Sequence, residues 1–326
     1  MTVRRFKQID VFTHEAMLGN PVAVVLDGAG LSDAVMQSFA KWTQLSETTF
    51  LLPPTDTGQA AGADYRVRIF TPGGELPFAG HPTLGSARAW LAGGGQPTHK
   101  GVITQECGVG LVRLEEKDGR WAFAAPPSKK RALPQDMMLP LLAALGLQEN
   151  QVMDSQVLDN GPEWWSFLLD APETVLALSP NHLALKQLGV KVGVAARYAQ
   201  NNSDASNDTP SASGPHAMLI SRSNREARAF SNQRPAQDTA GDEGPHLEVR
   251  AFAAAIGVME DPVTGSLNAS LAQWLMAQQK MPPQYISSQG TALGRKGRVH
   301  IHQDEHGQVW VGGDTVVCIE GHVALD

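Results

Sequence analysis

Three titratable side chains stand in surroundings suited to moving protons: Glu47, His81 and Asp261. Glu47 lies between Leu45 and Phe50 in a run otherwise made of Ser, Thr and Leu. Neighbours of that kind can strip water from a carboxylate and raise its pKa toward a value useful for acid/base work. An ordinary exposed strand position fits the same residues, and local composition leaves both readings open. His81 directly precedes Pro82, a residue suited to the first turn of a helix. At a helix amino terminus the positive end of the macrodipole disfavours the imidazolium, so a neutral donor or acceptor is expected there. A plain core histidine would also satisfy the sequence. Asp261 precedes Pro262 and reads as an N-cap, a proton-handling group, or both. One carboxyl that alternates between its two forms suffices to take a proton from one atom and return it to another, which is isomerisation.

These residues must be placed by helices, and the chain supplies two related ones. At an offset of 180 residues, six of the eleven positions from Pro82 to Ala92 are identical to those from Pro262 to Ala272. Each copy follows an Arg-x-Phe strand, Arg68 to Phe70 and Arg250 to Phe252. The pattern predicts two domains of like fold, each built round one apolar helix, with Gly and Ser permitting close backbone approach. The helices are expected from Pro82 to Leu91 and from Pro262 to Ala277. Unpaired N–H groups make such helix starts anion receptors. Two of them, facing each other, would hold the carboxylate of a small substrate, with His81 opposite Asp261.

The rest of the chain reads as many strands and few helices, which favours an α+β class over a regular parallel βαβ sheet. A chain of 326 residues fits two domains, here 1–126 and 127–326. Stretches 200–216 and 231–246 are rich in Asn, Ser, Asp, Gly and Pro and read as surface loops, flanking a strand from Ala217 to Ser221. Trp164 and Trp165 read as core aromatics. A net charge of −7 with scattered Lys and Arg excludes an electrostatic nucleic-acid footprint, and Lys129–Arg131 reads as a solvated linker. No apolar stretch approaches the length of a membrane span. Residues 1–12 lack the apolar core of a secretory signal, so a cytoplasmic protein is expected. Cys107 and Cys318 are expected to be small buried hydrophobes, not a disulfide or a metal site. His300, His302 and His306 have no thiol partner nearby in sequence, and no metal is expected there. The absence of a Gly-rich phosphate loop argues against a nucleotide cofactor.

Several segments together resemble one family: Leu45-Ser46-Glu47-Thr48-Thr49-Phe50, the run from Glu75-Leu76-Pro77 through Gly80-His81-Pro82 to Gly85, and Glu260-Asp261-Pro262-Val263-Thr264-Gly265-Ser266. With the Gly19-Asn20-Pro21 turn and the repeat, they resemble the phenazine biosynthesis PhzF family over nearly the whole chain. The resemblance implies the diaminopimelate epimerase-like fold, two pseudo-symmetric domains that are each a mixed β-sheet wrapped round a central helix, with the site between them. It further implies a cofactor-free isomerase and a homodimer. Its acid/base would be Glu47, working with His81 and Asp261, while Asn20, Ser46, Gly80, Gly265 and Ser266 would lie at the substrate. Alternatives on the same fold are an amino-acid epimerase or racemase, and a binding protein without catalysis. A two-thiol racemase would need cysteines where His81 and Asp261 stand.

Overall fold

A computed structural model describes residues 2–199 and 244–326. The polar stretch from 200 to 216, most of the second one and the strand expected from Ala217 to Ser221 lie outside the described residues. The first half runs β1 (Thr2–Val11), β2 (Asn20–Val25), α1 (Asp33–Thr43), β3 (Thr48–Leu52), α2 (Asp56–Ala60), β4 (Tyr65–Thr71), β5 (Gly74–Leu76), α3 (Gly80–Ala92), β6 (Val102–Cys107), β7 (Gly110–Lys117) and β8 (Arg120–Ala124). There follow β9 (Lys129–Arg131), α4 (Gln135–Leu145), β10 (Val152–Asp159), β11 (Glu163–Leu169), α5 (Pro172–Ala177), α6 (His182–Leu188) and β12 (Val192–Arg197). The last group is β13 (Leu247–Ala253), β14 (Val258–Asp261), α7 (Gly265–Ala277), β15 (Gln284–Gln289), β16 (Gly297–Gln303), β17 (Val309–Gly313) and β18 (Thr315–Leu325).

Strand pairing repeats along the chain. β1 pairs antiparallel with β2, β2 parallel with β3, β3 antiparallel with β4, and β4 parallel with β6, after which β6, β7 and β8 form an antiparallel meander. The same succession runs from β10 through β11, β12, β13, β15 and β16 to β17. Each half also inserts a short hairpin strand, β5 or β14, just before its long helix. The molecule is thus α+β, with two pseudo-symmetric mixed sheets, each wrapped round one helix. β8 pairs with β17 and joins the sheets, while β18 returns to pair with β1 along the edge of the first.

Both central helices are rich in small and apolar residues and buried on most faces, the pattern of a helix surrounded by protein. Leu84, Ala87 and Ala89 of α3 are buried, as are Leu267, Ala269, Leu271, Ala272, Trp274 and Leu275 of α7. They share one core with Ile9, Val11, Val22, Phe123, Val299 and Val311 of the sheets. Trp164 and Trp165 are buried as expected. Cys107 is buried, but Cys318 is exposed, because it lies on the outer strand β18. Lys129–Arg131 is exposed, yet it forms strand β9 against β10 where a linker was expected.

Candidate active site

The two central helices meet at their amino termini. A Cβ placed on Gly265 would stand 3.1 Å from the Cα of Gly80, and one placed on Gly80 would stand 2.7 Å from the Phe123 ring. Contact this close requires glycine on both sides. The N-cap residues, Ala79 and Thr264, make no side-chain cap hydrogen bond, so neither helix start is closed by its own side chain. Each helix has 13 residues, but the second begins at Gly265 and not at Pro262. Asp261 is drawn into β14, opposite Ala251 of β13, and the residue before a proline is biased toward extended backbone. His81 accordingly sits inside the first turn of α3, whereas Asp261 ends a strand and caps nothing.

Asn20, the first residue of β2, ties the two helix ends together. Its Nδ2 donates to Asp261 Oδ1 at 2.8 Å and to the Val263 carbonyl at 2.8 Å, and lies 3.4 Å from His81 Nδ1. Ser46 Oγ donates to Asn20 Oδ1 over 3.5 Å. Glu47 precedes β3 by one residue, off the strand itself, and its Oε2 lies 3.3 Å from His81 Nε2. These two atoms are buried, and neither has an aligned hydrogen bond. Facing polar atoms left unmatched in a dry position are costly and mark a site where something other than stability was selected. Glu47 keeps 15% of its side chain exposed and His81 keeps 4%.

Burial sets the protonation of all three groups. Desolvation raises Glu47 to about 7, opposed by the polar Ser46 side chain beside it. It lowers His81 to about 4 despite the nearby Asp261 and Asp10 charges, leaving a neutral ring. Asp261 rises to about 6 through burial and the Glu47 charge, opposed by His81 and by donors on Thr264 and Asn20. The two carboxyls titrate as a pair.

All eight residues expected at the site from sequence fall at or beside this junction. Ser266, on the first turn of α7, accepts a hydrogen bond from Trp164 Nε1 at 3.1 Å, and its carbonyl accepts one from Asn160 at 2.9 Å. Trp164 therefore anchors the helix start as well as filling the core. Three buried polar residues escaped the sequence reading: Thr264, Asn268 and Gln289, which surround the Asp261 loop. Thr264 lies inside the quoted motif and could have been taken from it. Gln289, at the end of β15, carries no local signal. Among the described residues no cluster of His, Cys, Asp and Glu could hold a metal ion, and no helix is long and apolar enough to cross a membrane.

The phenazine biosynthesis-like protein family profile matches residues 9–211 and 224–321. The chain belongs to the PhzF family. A PhzF relative from Pseudomonas aeruginosa, trans-2,3-dihydro-3-hydroxyanthranilate isomerase, is 32% identical over 99% of this chain and 100% of its own length. Antisense-enhancing sequence 1 of Schizosaccharomyces pombe is 34% identical over 98% of this chain and 99% of its own. In three dimensions, the PhzF-family protein of Bacillus anthracis aligns with a TM-score of 0.74 at 21% identity, covering 99% of this chain and 100% of that one. A probable proline racemase from Agrobacterium radiobacter shares the fold at a TM-score of 0.56 and 14% identity, over 100% of this chain and 94% of that one.

Proposed function

We propose that this PhzF-family protein is a cofactor-independent isomerase that shifts a proton on a small carboxylate-bearing substrate, with Glu47 as the acid/base. The observation that carries the reading is the facing of Glu47 Oε2 and His81 Nε2, neither with an aligned hydrogen bond, where two helix starts without side-chain caps meet. The helix starts provide N–H groups and positive potential for the substrate carboxylate. A carboxyl whose pKa lies near neutrality is available in both forms, so it can remove a proton from carbon and deliver it to another carbon of the same substrate. His81, neutral and fixed in the first turn of α3, orients the groups round Glu47 without competing for the proton. Asp261 and Asn20 hold the two helix starts in register.

Membership of the family makes trans-2,3-dihydro-3-hydroxyanthranilate the first compound to test, alongside cyclic amino carboxylates that report racemisation. Incubation in deuterated water should place label on carbon with the wild type and not with Glu47→Gln, while the variant still binds the same compound. Label incorporation by the variant at the wild-type rate removes Glu47 from the mechanism. A two-thiol racemase finds no support, since Cys107 lies in β6 opposite Gly110 and Cys318 is exposed on β18. The reading includes a homodimer in the cytoplasm, and sedimentation of the purified chain tests the first of these.

A further inference from the structure

The hydrogen bonds round Asp261 have a direction that can be read without ambiguity. Gln289 is fully buried, and its amide orientation is fixed at both ends. The backbone N–H of Thr264, which can only donate, lies 3.0 Å from Oε1, and the Asp261 carbonyl, which can only accept, lies 3.0 Å from Nε2. Nε2 also donates to Thr264 Oγ1 at 2.9 Å. The hydroxyl in turn donates to Asp261 Oδ2, 2.7 Å away. On the other side the Val263 carbonyl fixes the amide of Asn20, whose remaining Nδ2 hydrogen goes to Asp261 Oδ1. Behind Gln289, Asn268 donates to Oε1 at 2.8 Å and to the Thr264 carbonyl at 2.9 Å, and is itself held by Ser287 Oγ at 2.6 Å. Each Asp261 oxygen therefore has a donor aimed at it.

We propose that Gln289 and Thr264 are positioning residues whose polarised chain keeps Asp261 the ionised member of the Glu47–Asp261 pair, so that the proton the two share resides on Glu47. The consequence for turnover rests on Glu47 being the acid/base; the direction of the chain does not. A carboxylate that receives donors at both oxygens is stabilised as the anion. The other charged or titratable groups round it do not undo this. His81 of α3 is neutral, Asp10 of β1 acts on His81 and not on Asp261, and Glu260, next to Asp261 on β14, is tied by two bonds to Arg250 of β13. The buried Oε2 of Glu47, by contrast, has no donor.

Carbon-13 NMR titration of the full chain, labelled at the Asp and Glu carboxyl carbons, tests this without any substrate. In the wild type Asp261 should ionise at lower pH than Glu47. Thr264→Val should raise the Asp261 midpoint by roughly one to two pH units, the scale of one hydrogen bond to a charge, and lower that of Glu47. Thr264→Ser, which keeps the hydroxyl, should restore the wild-type order, and Gln289→Met should shift Asp261 in the same direction by less. If Thr264→Val does not fold, Thr264→Ala makes the same measurement. Glu47 ionising first in the wild type, or an unmoved Asp261 midpoint in the folded hydroxyl-less variant, overturns the proposal. Deuterium incorporation by Glu47→Gln overturns only the reading of Glu47, so the two failures are distinct.

Discussion

Replacing Glu47 by Gln tests the buried carboxyl as a question of stability, independent of any substrate. In the folded protein the carboxyl is held near 7, against 4.5 for the unperturbed group, chiefly because burial penalises its charge. Between those values the folded state binds more protons than the unfolded state, so this group's contribution to stability is full below about pH 4.5 and is lost as the pH rises through 7. At 1.36 kcal/mol per pKa unit the whole loss is about 3 kcal/mol, reduced where Asp261 takes part of the shared proton. Glutamine has nearly the shape of the protonated acid and no charge to desolvate. At about 2 cal/mol/K of unfolding entropy per residue, the variant should melt up to roughly 4 °C above the wild type at pH 8, with the gap closing toward pH 5. Calorimetry of both proteins at four pH values between 5 and 8 measures this. A variant that is less stable at pH 8, or whose difference from the wild type does not change with pH, refutes the claim that the Glu47 charge is buried at a cost. The same substitution is expected to abolish proton exchange, a trade of activity for stability.

Other consequences follow from the same geometry. His81, held near 4 by burial, should remain a neutral imidazole from pH 8 down to pH 5 in proton NMR; because the unfolded chain takes up its proton near 6.5, this group favours the folded state above that pH and the benefit falls as pH drops toward 4. A ring titrating near 6.5 in the native protein contradicts the burial. Gly265→Ala puts a methyl against the Gly80 Cα, which should cost about 1–3 kcal/mol by overpacking and reduce turnover by moving the helix starts apart; wild-type activity in that variant would show that their contact is dispensable. Glu260→Gln leaves the buried Arg250 guanidinium without its charge partner and should lower unfolding free energy in urea by roughly 3–5 kcal/mol, whereas Arg250→Met with Glu260→Leu should recover most of the loss.

Much of this protein was legible in the chain because repetition and local chemistry are written in it. The 180-residue offset, the Arg-x-Phe strands and the apolar runs announced two like units round two buried helices. Pro82 within a first turn acts through its own backbone neighbours, and α3 falls close to where it places a helix. The start of α7 was misplaced by three residues because β14 competes for Asp261, and that pairing partner is supplied by β13. For the same reason sequence alone left Glu47, His81 and Asp261 each with two readings. Desolvation and hydrogen-bond direction are properties of what surrounds a group, and here the surroundings come from β2, α3, the approach to β3, the β14–α7 turn and the end of β15, the last carrying Gln289 some 28 residues beyond Asp261. From the chain alone came the residue types available for chemistry and the two like helices round which the molecule is built. Only the tertiary structure, by closing two glycines on each other and drying the space around three titratable groups, decided which carboxyl is neutral, which is charged and which way the protons point.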